Sequence, residues 1–125
     1  MRGQSLQGFK AELFKALAHP TRIRILELLR AGEMTVTELQ IRLNVESSSV
    51  SQQLGVLRGK NIVDGRRDGT SVYYRIREPR VSALLDLARE IFANHLGELQ
   101  AMAEEESSED SSSKAKRTMP SAAAR

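Results

Sequence analysis

The chain has 125 residues, 40% hydrophobic and 28% charged, with a net charge of +3, which is an ordinary balance for one soluble domain. It holds no Cys and no Trp, and only 4% aromatics, so disulfides, thiolate metal sites and Cys nucleophiles are excluded and the core has to be aliphatic. No apolar run is long enough to span a bilayer and the N-terminus lacks the apolar stretch of a signal peptide, so the expectation is a cytoplasmic protein.

Residues 1–5 are expected to form a loose arm. Leu6, Phe9, Leu13, Phe14 and Leu17 recur at helical spacing and predict a first helix to Ala18. His19-Pro20 interrupts it, because proline disfavours helical geometry in the residue before it. Pro20 then suits the first turn of a second helix, where its missing N–H costs nothing. That helix is expected to run to about Ala31, burying Ile23, Leu26 and Leu29, with Gly32 as its stop. His19 reads as structural. Thr35-Val36-Thr37-Glu38 has the form of a capping box and opens a short third helix with Val36, Leu39 and Leu43 inward.

After a tight turn at Asn44-Val45-Glu46 comes the stretch on which the function hangs. Val50, Leu54 and Leu57 make one apolar stripe, while Ser47, Ser48, Ser51, Gln52 and Arg58 occupy the opposite face, with Gln53 beside them. Hydroxyls and amides without carboxylates suit a surface that approaches phosphates and base edges. Taken alone, the stretch is equally readable as a Ser-capped surface helix, and one of Ser47 to Ser49 is expected to cap it. Two short helices joined by a three-residue turn form a helix-turn-helix candidate.

Asn61-Ile62-Val63 leads into Asp64–Ser71, where Asp68-Gly69 signals a hairpin turn. Val72, Tyr74 and Ile76 alternate with Tyr73, Arg75 and Arg77, the period of a strand with one buried face. Arg66 and Arg67 on one side, with Thr70 and Ser71 on the other, are expected at the tip, where they could grip phosphates or enter a minor groove. From Arg58 to Arg80 seven cations (Arg58, Lys60, Arg66, Arg67, Arg75, Arg77, Arg80) meet three carboxylates (Asp64, Asp68, Glu78), an excess greater than that of the whole chain.

Pro79 opens a last helix expected to end near Met102. Its apolar stripe of Val81, Leu84, Leu85, Ala88, Ile91, Phe92, His95, Leu96 and Leu99 is longer than the compact part can cover. Together with the first helix it predicts a symmetric dimer, with Phe9, Leu13, Leu84, Ala88, Ile91, Phe92, His95 and Leu99 at the interface. Residues 6–103 are thus read as one DNA-binding and dimerisation domain. The Glu-, Ser- and Lys-rich stretch 104–125 is read as a disordered tail.

Phe14-Lys15-Ala16-Leu17-Ala18-His19-Pro20-Thr21-Arg22-Ile23-Arg24-Ile25-Leu26 resembles the opening signature of the ArsR/SmtB family of bacterial winged-helix repressors. Ser51–Leu57 is similar to its recognition-helix segment and Arg66-Arg67-Asp68-Gly69 to its wing. The resemblance spans about residues 6–99. It implies a mainly α winged helix-turn-helix with a small β-hairpin: four helices, two strands and a fifth helix, dimeric through the first and last helices, binding a DNA operator and releasing it when an inducer binds. Ser47, Ser48, Ser51 and Gln52 match the family's base- and phosphate-contacting positions.

Many members of that family bind metal through Cys beside the recognition helix, and this chain has none. Others use an Asp-x-His pair at the start of the last helix and a His-x-x-His/Glu pair near its end. The aligned positions here are Glu78, Arg80, Ile91 and Asn94, and a cation and an aliphatic cannot ligate zinc. His95 and Glu98 offer two ligands at i,i+3, but the shifted register then places Ser82 and Leu84 in the first pair. The expectation is no resident cofactor; a metal effector bound weakly at His95 and Glu98 is the alternative. A second class of function, a co-regulator acting through protein contacts with sensing by another subunit, stays open. With two His and neither a nucleophile-base arrangement nor a phosphate-cradling glycine loop, an enzyme is not expected.

Overall fold

The computed structural model describes the backbone of residues 5–121 and the side chains of residues 5–108. Helix α1 covers Leu6–Leu17. Ser5, expected in a loose arm, is its N-cap: its hydroxyl accepts the Gly8 amide at 2.9 Å. Residues 1–4 lie outside the described residues.

Helix α2 covers Pro20–Leu29, with Pro20 in its first turn. His19 is structural, as expected: its Nδ1 accepts the Thr21 amide at 3.1 Å and caps the helix. Two expectations are corrected here. The helix ends before Ala31, and Ile25, not Ile23, is buried with Leu26 and Leu29, where α2 packs among α1, α3, α4 and β2.

Helix α3 covers Val36–Leu43 and carries the capping box in full. Thr35 Oγ1 accepts the Glu38 amide at 3.1 Å and Glu38 Oε1 accepts the Thr35 amide at 2.8 Å. Asn44 ends the helix with φ +57°, a left-handed conformation that Asn tolerates better than most residues. Helix α4 covers Ser47–Gly59. Asn61, at φ +61°, turns the chain after it.

Strands β1 (Val63–Asp68) and β2 (Ser71–Ile76) pair antiparallel, from Val63 opposite Ile76 to Asp68 opposite Ser71. The pairing leaves a two-residue loop, Gly69-Thr70, with Gly69 at φ +66° in the position where a hairpin turn favours glycine. Gly65 is needed for a different reason. A Cβ there would stand 2.9 Å from Val72 Cγ1 and 3.2 Å from the Tyr74 ring. A further bridge pins the hairpin to the segment before α3: Met34 and Tyr74 exchange backbone hydrogen bonds of 3.1 and 2.8 Å.

The core lies within residues 5–85, where Ile25, Leu26, Leu39, Val50, Leu54, Leu57, Ile62, Val63 and Val81 are almost fully excluded from solvent. Each such side chain contributes on the order of 1.5–3 kcal/mol by leaving water. Aliphatic residues supply all of these, as the composition required.

Helix α5 covers Arg80–Ser121, 42 residues, and does not stop near Met102. Residues 104–121, the part of the chain read above as a tail, continue the helix. No Gly or Pro falls between Met102 and Pro120 to interrupt it. Residues 122–125 lie outside the described residues. From Asp86 onward the helix forms a unit of its own. Ala88, Phe92, His95, Leu99 and Met102 follow one another on it at spacings of four and three, the seam of a coiled coil.

Candidate nucleic-acid interface

Helix α4 is divided sharply. Val50, Leu54 and Leu57 are 0%, 1% and 0% exposed, and anchor the helix in the core. Ser47, Ser48, Ser51, Gln52 and Arg58 are exposed, and Gln53 is half-buried at the edge. The expected serine cap is corrected. Glu46 occupies the N-cap position and makes no side-chain cap bond, so all three serines lie inside the first turn. A serine within the helix cannot cap it, and the hydroxyls of Ser47 and Ser48 are left facing solvent.

The hairpin ladder reaches to the two-residue loop itself. Arg66 lies opposite Tyr73 and Arg67 opposite Val72, so both belong to the ladder and not to the loop at the tip. Thr70 alone of the expected wing residues sits in that loop, exposed. Directly opposed residues share a face, so Arg66 and Arg67 point to opposite sides of the ribbon. Arg66 is already engaged. Its Nη2 lies 2.7 Å from Glu33 Oε1, its guanidinium stands 5.1 Å above the Tyr73 ring, and Asp68 is 3.8 Å away. The hydrogen bond and charge of Arg66 hold the Glu33 carboxyl below its ordinary range.

This changes the meaning of the basic segment. Lys60 pairs with Glu12 at 2.9 Å, Arg75 with Asp64 at 2.8 Å, Arg77 with Asn61 Oδ1 at 3.1 Å and Arg80 with Glu78 at 2.7 Å. Of the seven cations between Arg58 and Arg80, Arg58 and Arg67 are the two with no side-chain partner among the described residues. Sequence gives the charge excess but not which charges are spent. The pairs join residues up to 48 positions apart, and no local pattern announces them.

The expected dimer residues fall into two groups. Leu13 and Leu84 are half-buried and pack on the chain's own core. Phe9 is 55% exposed, Ile91 69%, Phe92 60% and Leu99 45%, and Ala88 and His95 are exposed as well. Leu6, Phe14, Leu87 and Met102 add to the uncovered apolar surface.

A short helix, a turn, and a second helix with a buried apolar back and an uncharged polar front, followed by a basic antiparallel hairpin, define a winged helix-turn-helix regulator of transcription. Comparison with known proteins gives the family. A family model described as a helix-turn-helix domain matches residues 17–66. The chain is 46% identical over 106 residues to the HTH-type transcriptional regulator Rv0081 of Mycobacterium tuberculosis, covering 84% of this chain and 93% of that one. The crystal structure of Rv0081 superposes with a TM-score of 0.69 at 47% identity, over 77% of this chain and 97% of that one. A biofilm growth-associated repressor of Agrobacterium fabrum is 42% identical over 82 residues, 66% of this chain and 70% of its own length. The solution structure of the homodimeric winged helix-turn-helix DNA-binding domain of Mb0332 from Mycobacterium bovis, described as ArsR-family, matches with a TM-score of 0.66 at 35% identity, over 77% and 94%. The chain belongs to the ArsR/SmtB family, whose members are DNA-binding regulators and not enzymes.

The metal site that this family implies does not fit the residues present. Arg80 Nε and Nη2 take the two carboxylate oxygens of Glu78 at 2.7 and 2.9 Å, so a guanidinium fills the place of a second ligand. The Arg80 hydrogen bonds hold the Glu78 carboxyl at about 2, and the carboxylate is committed to a cation already in place. Among the described residues, no group of three or more His, Cys, Asp and Glu is placed to hold a metal ion.

Proposed function

We propose that the chain is a homodimeric, sequence-specific operator-binding repressor of the cytoplasm, released from DNA by a signal other than a tightly held metal. The division of α4 carries this reading: an anchored apolar back places Ser48, Ser51 and Gln52 outward with no carboxylate among them. The exposed Gln52 amide matches the paired donor and acceptor of an adenine edge. Arg58 and Arg67, unspent within the chain, supply charge for phosphates. The uncovered seam of α5 and the exposed phenylalanines of α1 support a second copy as the partner that covers them. Two recognition helices held by such an interface read a two-fold symmetric site. No helix among the described residues is long and apolar enough to cross a membrane, which agrees with access to DNA in the cytoplasm.

The test is light scattering on the purified chain, followed by sequencing of genomic fragments that it retains. A dimer mass and fragments converging on a palindrome, with half-sites about one helical turn apart, support the reading. A monomer, or fragments with no shared sequence, contradict it. Co-purification with an unrelated subunit, while the homodimer retains no DNA, would favour the co-regulator instead.

A further inference from the structure

Helix α3 buries Leu39 and Leu43 in the core. Ile41 stands on its opposite face at 72% exposure, more than any other large apolar side chain among the described residues. Helix propensity gives no reason for it, since a β-branched side chain is a poorer helix former than Gln or Arg, the two residues beside it. Nor is Ile41 isolated. It lines a hollow of about 270 Å³ together with Met34, Glu33, Glu38 and Arg42. The three charges there are spent differently. Glu33 is held by Arg66. Glu38 engages Oε1 in the capping box, and no bond among the described residues uses its Oε2. Arg42 is exposed and makes no side-chain hydrogen bond or ion pair among the described residues.

The order of these residues makes the face complementary to itself. Glu38 precedes Ile41 by three positions and Arg42 follows it by one, so at 100° per residue both flank it on the same side of the helix. Two such helices laid antiparallel about a two-fold axis put Ile41 on Ile41 and bring Arg42 of each copy to Glu38 of the other. We propose that this face of α3 is a self-association surface whose partner is a second copy of the chain, joining dimer to dimer. It goes beyond the reading above, since it uses none of the residues assigned there to the dimer or to DNA. Five residues line the hollow, against roughly 20–30 a side in a stable interface, so the contact is weak in solution. It gains force between dimers bound to neighbouring sites on one DNA, where each meets the other at an effective concentration on the order of 1 mM.

The test is sedimentation of the full chain over a wide range of concentration, up to about 1 mM, the regime of so small a contact. The mass should rise from dimer to tetramer and beyond, because each dimer carries two such faces. Ile41→Gln should keep the thermal midpoint, Ile41 being exposed, and weaken the upper step at least thirtyfold, since two buried isoleucines are lost at each contact. Glu38→Gln removes the charge and keeps a capping box, which takes Glu or Gln. It and Arg42→Gln should each weaken the step roughly fivefold, and together no more than either alone. Wild-type protein that stays a dimer throughout, or Ile41→Gln protein that associates as readily as wild type, overturns the α3 contact and leaves the dimer reading standing. The Phe92→Asp chain separates the two further: through α3 alone it should pass from monomer to dimer at the top of the range. Wild-type protein that dimerises only there, and only with Ile41 in place, supports the α3 contact and overturns the dimer reading.

Discussion

Lys60 Nζ lies 2.9 Å from Glu12 Oε1, so the residue that ends α4 is tied directly to α1. The Lys60 hydrogen bond, then its charge and that of Lys15, hold the Glu12 carboxyl below its ordinary range. A depressed carboxylate stabilises the fold fully above its unfolded value and loses that contribution as pH falls through its folded value. Lys60→Gln should return the Glu12 midpoint toward the usual carboxylate range in an NMR titration. A midpoint that does not move would show that the tie is absent in solution.

The Glu78–Arg80 pair allows the same test with a number attached. Glu78 is held at about 2 against an ordinary 4.5. Its contribution is therefore whole above pH 4.5 and fades as pH drops toward about 2. Arg80→Gln should raise the Glu78 midpoint by NMR. Zinc added to wild-type protein at neutral pH should leave the Glu78 carboxyl resonance in place, because the guanidinium holds both oxygens.

Gly55 lies on the outward side of α4, and nothing stands within 4 Å of the position its Cβ would take. The fold does not need a glycine there, and in a helix interior glycine costs about 1 kcal/mol relative to alanine. Gly55→Ala should therefore raise the unfolding free energy by up to about 1 kcal/mol in a urea titration while weakening operator binding, since the added methyl holds the helix off the DNA. Leu54→Ala, one residue away but 1% exposed, should instead cost about 2–5 kcal/mol of stability.

The uncovered face of α5 predicts a change of mass. Phe92→Asp places a charge in the middle of the seam and should convert the dimer to monomer by light scattering, with DNA affinity lost alongside. Because Phe92 is 60% exposed within the chain, the helix content measured by circular dichroism should persist.

Much of this fold was legible because the signals were local. The capping box at Thr35 and Glu38, the break at His19-Pro20, the apolar stripe of Val50, Leu54 and Leu57 and the turn at Asp68-Gly69 each depend on residues within a few positions. What sequence missed depends on distant partners or on competition between neighbours. Ile25 enters the core in place of Ile23 where α2 packs among α1, α3, α4 and β2, neighbours that the spacing alone does not reveal. Arg66 and Arg67 look equivalent until strand register sends them to opposite faces, one to Glu33 and one to solvent. The serine run looked like a cap because the helix start was ambiguous by one residue.

The central claim is that the outward face of α4 reads sequence, and competition binding tests it most directly. Wild-type protein and Gln52→Ala are titrated against the duplex recovered from retained genomic fragments and against a scrambled duplex, at one fixed salt concentration. The account predicts wild-type preference for the recovered duplex of roughly a thousandfold or more, with Gln52→Ala losing most of that ratio while binding the scrambled duplex unchanged. Equal binding of the two duplexes by the wild type would contradict it.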